Sequence, residues 1–327
     1  MELRRIYLSL VMALALLGLT LESAQTQTWP SRPIRFVVPL PPGGAYDYVA
    51  RLLANRLSAV LGVPLVVENK PGGSARIGTE FVARAPADGY TFLVMSNTHV
   101  ILPNLFSNLH YDAIKDFEPV SLVVETPFVL VVKPNVPVHS AKEFVTLAKD
   151  KPGSLEYGST GIGSPFHLAA ELLKSMTGTN ILHVPYRGTG PLIQALLAGE
   201  VSSAFVPIGP YLQYINMGKL RPLALVGSSR SLLLPGIPTI EEAVPLPGYG
   251  LNSWIGVLAP AGTPRQIIER MNAEIVRIVE DKQFAQEQFL TQGYEPVGST
   301  PERFMEVMKR DLAMYAKIVE DANIPPQ

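Results

Sequence analysis

Short apolar runs alternate with helical patterns along most of the chain. The run at 34–40 is mostly apolar and reads as a strand, and the segment after it carries apolar residues at helical spacing until Gly62. Two further strand-like runs follow, at 64–69 and at 90–96. This order of strands and helices predicts a mostly parallel sheet with helices on its faces.

The pattern breaks near Thr126 and Pro127, and a second alternating series of strands and helices begins after them. One helix in this series has clear boundary signals. Ser164 is its expected N-cap, Pro165 takes the first helical position, and Gly178 follows its end. The second series therefore predicts another α/β unit.

The last third of the chain holds one more strand-like run, at 253–262, followed by two helical segments. Each helical segment is predicted to begin at a Thr-Pro pair, with Thr263 and Thr300 as N-caps. We expect this late strand and these helices to return to the first α/β unit. The predicted lobes, each a mostly parallel sheet flanked by helices, are residues 28–125 with 250–327, and residues 126–249.

The first residues have the pattern of a secretory signal peptide. Arg4 and Arg5 precede an apolar stretch at 6–21, and small and polar residues follow. The alternative is a membrane anchor, but the apolar stretch is shorter than the roughly 20 residues of a spanning helix. We expect a signal peptide at 1–27, cleavage between 23 and 28, and a periplasmic protein.

Composition narrows the functional classes. The formal net charge is −1 and no long run of Lys and Arg occurs, which argues against a nucleic-acid partner. The chain has no cysteine, which excludes disulfides, thiolate metal sites and cysteine nucleophiles. Hydrophobic residues make up 47% of the 327 residues, enough for a substantial core.

Three Gly- or Ser-rich loops, at 41–47, 158–164 and 186–191, each lie between a predicted strand and a predicted helix. Open α/β sheets bind ligands at the carboxyl ends of their strands, where such loops lie. Helix N-termini offer unpaired N–H groups that bind anions without a Lys or Arg side chain. The alternative is that all three are ordinary strand-to-helix turns, which also use Gly and Ser.

Enzyme signatures are absent from the sequence. There is no G-x-S-x-G nucleophile motif and no Walker A lysine. His167 and Glu171 lie four residues apart on one predicted helix, and we interpret them as surface groups. A Ser-His-Asp triad assembled through space stays open. We predict no catalytic residue, no metal site and no cofactor.

Several segments together resemble one known family. They are VVPLPPGGAYDYVARLL, YGSTGIGSPFHLAAELL, VPYRGTGPLIQALLAGEV and SWIGVLAPAGTP, and the likeness covers nearly all of the chain after the signal. The family is the Bug family, the periplasmic solute-binding proteins of tripartite tricarboxylate transporters. The resemblance implies a two-lobed Venus-flytrap fold, a small carboxylate as ligand, membrane permease subunits as partners, and a monomer.

The resemblance also implies a set of ligand-binding residues. Bug-type proteins hold a carboxylate largely through backbone groups and ordered waters on two facing loops. In this sequence the matching residues of the first loop are Pro42, Gly43, Gly44, Ala45 and Asp47, with Thr98 and His99 at the border of the cleft. Those of the second loop are Ser159, Thr160, Gly161 and Ser164.

Among the departures from the family pattern, two bear on the character of the site. Ser202 stands where an aspartate is usual, and Phe205 lies in a run that is usually more polar. If both face the cleft, the site is less acidic and more apolar, which favours an aromatic or hydrophobic carboxylate. Tyr46 and Phe205 could then close over a flat ligand. The alternative places Tyr46 on a helix surface and Phe205 in the core.

The sequence therefore predicts a periplasmic binding protein that captures a small carboxylate and delivers it to a membrane permease. Two alternatives stay open. One is a ligand-sensing periplasmic adaptor that presents its closed form to a membrane sensor. The other is an exported α/β hydrolase.

Overall fold

The fold is that of a computed structural model, which describes residues 29–227, 230–322 and 324–325. The predicted signal peptide at 1–27 lies outside the described residues. Among the helices of the described ranges, none combines the length and the apolar character that crossing a bilayer requires.

Six strands form the first sheet, called sheet A. In spatial order they are β2 (Leu65–Asn69), β1 (Ile34–Val38), β3 (Thr91–Ser96), β10 (Ser253–Pro260), β4 (Phe117–Thr126) and β11 (Glu295–Pro296). Strand β1 pairs in parallel with β2 and β3. Strand β10 pairs antiparallel with both β3 and β4, and β11 pairs antiparallel with β4.

Five strands form the second sheet, called sheet B. In spatial order they are β7 (Leu182–Pro185), β6 (Glu156–Ser159), β8 (Ser203–Pro207), β5 (Phe128–Val132) and β9 (Arg221–Leu225). Strand β6 pairs in parallel with β7 and β8, whereas β5 pairs antiparallel with β8 and β9.

Both sheets are therefore mixed, and the expectation of mostly parallel sheets is corrected. The cause is the chain path between the sheets. Strand β4 belongs to sheet A and β5 to sheet B, and only Pro127 separates them in the chain. Strand β10 later returns to sheet A and lies between β3 and β4. These strands oppose the direction set by the strand–helix–strand units. The two-lobed fold class holds, and the lobe boundaries stay a prediction.

The sheets are flanked by helices. Their bounds are α1 Ala45–Leu61, α2 Arg76–Ala83, α3 Thr98–Leu105, α4 Ala141–Asp150, α5 Pro165–Thr177, α6 Thr189–Ala198, α7 Ile208–Asn216, α8 Ile240–Ala243, α9 Arg265–Glu280, α10 Lys282–Phe284 and α11 Pro301–Asp321. Between α10 and β11 the chain forms a π-helical turn, Ala285–Phe289, and a 3₁₀ turn, Leu290–Gln292.

Most of the predicted helix boundaries are confirmed. The Ser164 hydroxyl accepts the His167 N–H at the start of α5, and Gly178 ends that helix with a φ of 65°. Thr300 caps α11 in the same way. Thr263 is the exception, because its hydroxyl donates to the Pro260 carbonyl and α9 begins only after Pro264.

One apolar cluster extends across both sheets. It includes Val37 and Leu93 of sheet A together with Phe128, Tyr157 and Phe205 of sheet B, all of them buried. Strands β5 and β10 are buried at every residue, as expected for strands covered on both faces. The shared core explains how two separate sheets are held in one folded unit.

A second link between the two sheets is a close backbone contact. Gly209, at the start of α7 after β8, packs against Gln292 and Gly293, in the turn before β11. A Cβ atom at Gly209 would overlap the Gln292 carbonyl oxygen, and one at Gly293 would overlap the Gly209 backbone. Glycine is therefore required at Gly209 by space rather than by backbone conformation.

We expect Gly209→Ala to lower the free energy of unfolding by about 1–3 kcal/mol, because the added methyl group must push two backbone segments apart. Urea unfolding followed by circular dichroism measures the change. Gly190→Ala is the matched control, since Gly190 also lies at the start of a helix but has open space around its Cβ position. Equal stability of the two variants would contradict the contact.

Candidate functional site

The first loop is closed by the side chain of Asp47. This carboxylate is buried, and it accepts hydrogen bonds from the Gly43 N–H at 2.9 Å, from Arg51 Nε at 2.9 Å and from Asn69 Nδ2 at 3.0 Å. Burial alone would raise the pKa of Asp47, but the hydrogen bonds from Arg51, Gly43 and Asn69 hold it below its usual value. Asp47 therefore shapes the loop from inside and offers no free oxygen to a ligand.

The backbone of the first loop keeps donors free. Among the described residues, no hydrogen-bond partner occurs for the N–H groups of Gly44, Ala45 and Tyr46, which open α1. The loop is exposed from Pro41 to Ala45, and a Cβ atom at Gly44 would approach only the Pro41 carbonyl oxygen, at 4.0 Å. The positive end of the α1 dipole is thus accessible from solvent.

Tyr46 connects this loop to the end of β3. Its hydroxyl hydrogen-bonds with the side chains of Ser96 and Thr98, and burial of the ring raises its pKa. The side chain therefore does not lie free on the helix surface, which was one of the two expectations. Thr98 is brought to the first loop by this contact, and its role at the border of a ligand cleft stays a prediction.

His99 has a different environment from its neighbour Thr98. Its ring is fully buried, its Nε2 lies 2.8 Å from the Ala113 carbonyl oxygen, and it packs edge-on against Phe117 with ring centres 4.6 Å apart. Burial lowers the pKa of His99 to about 4. The structure corrects the expectation for this residue, because successive helical residues point in different directions and His99 points into the core of sheet A.

The second loop begins at the end of β6 and is fixed by side chains below it. The buried Ser159 hydroxyl accepts the Gly161 N–H at 3.2 Å and is hydrogen-bonded to His183 Nε2 at 2.7 Å. The N–H groups of Thr160 and Ile162 have no partner among the described residues. This loop therefore repeats the design of the first, with buried side chains that hold it and backbone donors left open.

His167 and Glu171 lie beneath the second loop and are both buried, so the interpretation as surface groups is wrong. Glu171 accepts hydrogen bonds from the Tyr157 hydroxyl and from Lys174 Nζ. The ring of His167 stacks on that of His183, with ring centres 4.2 Å apart. A partial signal was present, because apolar Leu168 lies next to His167 and three residues before Glu171 on the same helix. The burial itself depends on the packing of that helix against sheet B.

The side chains of Ser202 and Phe205 lie away from both loops. The Ser202 hydroxyl bonds to the backbone of Glu156, at the amino end of β6 and opposite the second loop. Phe205 is buried in the core, edge-on to Tyr157. Side chains alternate along a strand, and the register of β8 turns Phe205 inward. The expectation that both residues face a ligand is corrected.

Helix α3 brings the two loops into one arrangement. At its start, Thr98 contacts Tyr46 of the first loop. At its end, the Leu105 side chain packs against Gly163 of the second loop, where a Cβ atom would lie only 2.5 Å from it. Eight residues of helix span about 12 Å, so two sets of open backbone donors lie near the two ends of one short helix.

This geometry suits an anion with oxygen atoms at both ends. Oriented N–H groups at a helix start bind carboxylate or phosphate oxygens directly or through water. In the described ranges, His, Asp and Glu residues nowhere form a group of three that could hold a metal ion.

Comparison with known proteins shows which family the chain belongs to. Residues 49–324 match the model of the tripartite tricarboxylate transporter family receptor. Protein BugT of Bordetella pertussis is 34% identical over 316 residues, which cover 94% of this chain and 96% of BugT.

Two solved structures with ligands have the same fold. Rpa4515 of R. palustris with adipate has a TM-score of 0.82 and 34% sequence identity, and the match covers 91% of this chain and all of that one. MatC from Rhodopseudomonas palustris with bound malate has a TM-score of 0.78 and 29% identity, over 89% of this chain and all of that one.

We expect Asp47→Ala to lower the free energy of unfolding by about 1–3 kcal/mol at neutral pH, because the Gly43 N–H and the Asn69 amide lose their acceptor. The ionised form is the stabilising one, since the folded-state pKa lies below the usual 3.8. The difference in the free energy of unfolding between the variant and the unaltered protein should therefore persist above that pH, and it should shrink as acid protonates Asp47.

Thermal unfolding, measured from neutral pH to below pH 3.8, follows this difference in stability. Glu269→Ala is the control, since Glu269 accepts a hydrogen bond from Arg265 on an exposed helix face, also at four-residue spacing. A loss in Asp47→Ala no greater than in this control would contradict the role of Asp47.

Proposed function

Because the chain belongs to the receptor family of tripartite tricarboxylate transporters, we propose that it captures a small carboxylate in the periplasm and delivers it to membrane permease subunits. The observation that carries this proposal is the pair of loops whose backbone N–H groups stay open while buried side chains hold their shape. The family consists of solute-binding proteins and not of enzymes, which removes the hydrolase alternative.

The open donors are sufficient for useful affinity. A hydrogen bond from an N–H group to a charged oxygen contributes roughly 1.5–3 kcal/mol. Four or five such bonds, less the cost of ordering the ligand, reach about the 8 kcal/mol that corresponds to micromolar binding. The protein can thus hold a carboxylate without a Lys or Arg side chain at its centre.

An aliphatic dicarboxylate is the ligand class that fits best. The two sets of donors lie near opposite ends of α3, so an acid with a carboxylate at each end can reach both through bridging water, and the relatives Rpa4515 and MatC carry adipate and malate. A flat aromatic acid loses its main support, because Phe205 is in the core and the hydroxyl of Tyr46 is hydrogen-bonded to Ser96 and Thr98. We therefore favour adipate-like or malate-like acids over aromatic ones.

Export and partners follow from the same family. The pattern at 1–27 supports secretion by a signal peptide, and the receptor family supports docking on permease subunits. We propose that the mature protein acts as a periplasmic monomer. The size of the shared core is consistent with a chain that folds without a partner.

A thermal-shift screen of the mature protein tests the proposed function. Adipate and malate should raise the melting temperature, because a ligand at 100 times its Kd adds roughly 2.7 kcal/mol of stability. Benzoate should give a smaller rise, and 1,6-diaminohexane, which has the length of adipate but the opposite charge, should give none. Stabilisation by none of the carboxylates at millimolar concentration would refute the function.

We expect Gly44→Val to weaken dicarboxylate binding by about tenfold or more, because the side chain projects beside the open donors. Folding should be retained, since Gly44 is extended with a φ of −87° and has open space around it. Calorimetric titration with adipate measures the affinity. Gly236→Val, at an equally open and exposed glycine, is the control. Unchanged affinity in a folded Gly44→Val variant would rule out the first loop as a binding element.

A further inference from the structure

Residues from three elements meet directly beneath the second loop. Tyr157 lies on β6, His183 on β7, and His167, Glu171 and Lys174 on α5. The His183 ring stacks on that of His167, as described, and also on that of Tyr157, with ring centres 4.7 Å apart. Hydrogen bonds join this cluster to the loop at Ser159, through His183, and at Gly163, through His167.

The hydrogen bond between His167 and the loop fixes the protonation state of the imidazole. The Gly163 N–H donates to His167 Nδ1 at 3.3 Å. Only a neutral imidazole with a bare Nδ1 can accept this bond, because imidazolium carries a proton on both nitrogen atoms. Protonation of His167 would set two donors against each other and break the contact.

The surroundings keep the histidine pair neutral. The titratable groups that interact with the pair are Tyr157 on β6 and Glu171 and Lys174 on α5. Burial, with Lys174 nearby, lowers the pKa of His167 to about 4. Burial and the adjacent His167 lower that of His183 to about 4 as well, and the Glu171 carboxylate only partly opposes this.

The contact is made at the point where the loop is least free to adapt. Gly163 has a φ of 76°, its Cα packs against Leu105 of α3, and Ser164 directly after it caps α5. A change at the Gly163 N–H is therefore transmitted along the loop to the open donors of Thr160 and Ile162.

We propose that His167 is a positioning residue for the second loop, and that protonation of the His167–His183 pair releases the loop and weakens carboxylate binding in acid. The proposal rests on the proposed function for its effect on binding, but not for its effect on the loop. Histidine in unfolded chains titrates near 6.5 and here near 4. The neutral form is thus favoured by folding, and its contribution is complete above about pH 6.5 and is lost as the pH falls toward 4.

Three variants test the proposal. His167→Asn places an amide oxygen near the position of Nδ1, so it can accept the Gly163 N–H but cannot be protonated. His167→Leu removes the acceptor at every pH. His110→Asn is the control, because His110 is exposed.

Two measurements are made on each variant at about pH 7 and about pH 4. Amide hydrogen exchange of the loop peptide, corrected for intrinsic rates, is measured without ligand. Adipate affinity is measured by calorimetry and expressed relative to that of His167→Asn at the same pH, which cancels the protonation of adipate itself.

The expected result has three parts. In the unaltered protein and in His110→Asn, acid should speed exchange at the loop and weaken adipate binding by about twofold relative to His167→Asn, because about half of the His167 side chains are protonated at a pH near the pKa of about 4. His167→Asn should retain slow exchange and should bind more tightly than the unaltered protein in acid. His167→Leu should show fast exchange already at neutral pH. If His167→Leu does not fold, the comparison of His167→Asn with the unaltered protein carries the test.

The proposal is overturned if His167→Asn keeps the same acid response as the unaltered protein, or if a folded His167→Leu variant exchanges its loop slowly at neutral pH. Failure of the unaltered protein to bind any dicarboxylate at neutral pH would refute the proposed function alone. In that case the loop exchange still decides the role of His167.

Discussion

The insertion of β10 between β3 and β4 is the constraint on which the rest of the arrangement depends. All eight residues of β10 are buried, and its backbone pairs antiparallel on both sides. Trp254 packs edge-on against Phe304 of α11 and donates to Asp311 on the same helix at 2.8 Å. One strand from late in the chain thereby fixes β3 and β4 and attaches the C-terminal helix to sheet A.

The position of β3 in turn decides where the loops lie. Asn97, directly after β3, bonds to Ser253 of β10 and to Tyr315 of α11 and is fully buried. Because this junction is fixed, α3 leaves it in a defined direction, with Thr98 beside Tyr46 and Leu105 beside Gly163. The spacing of the two candidate binding loops is therefore a consequence of strand order in sheet A.

Both loops combine free backbone donors with a conformation that buried side chains fix. A ligand that is held by backbone N–H groups needs donors that no protein group occupies, yet a loop without internal bonds is not rigid. Asp47 meets this requirement in the first loop by accepting the Gly43 N–H from below, and Ser159 and His167 meet it in the second loop. The acidic and histidine side chains are thus supports, and under the proposed function the main chain carries the ligand-binding chemistry.

The sequence by itself determined the local elements and the family. Strand-to-helix turns, the caps at Ser164 and Thr300 and the glycine end at Gly178 follow from turn chemistry that a few neighbouring residues define. It could not determine strand direction, the burial of His99 and His167, or the inward turn of Phe205. These features depend on which face of an element meets residues distant in the chain, and only the pairing of β10 and the packing of α5 on sheet B decided them, because burial is a property of the surroundings and not of the residue.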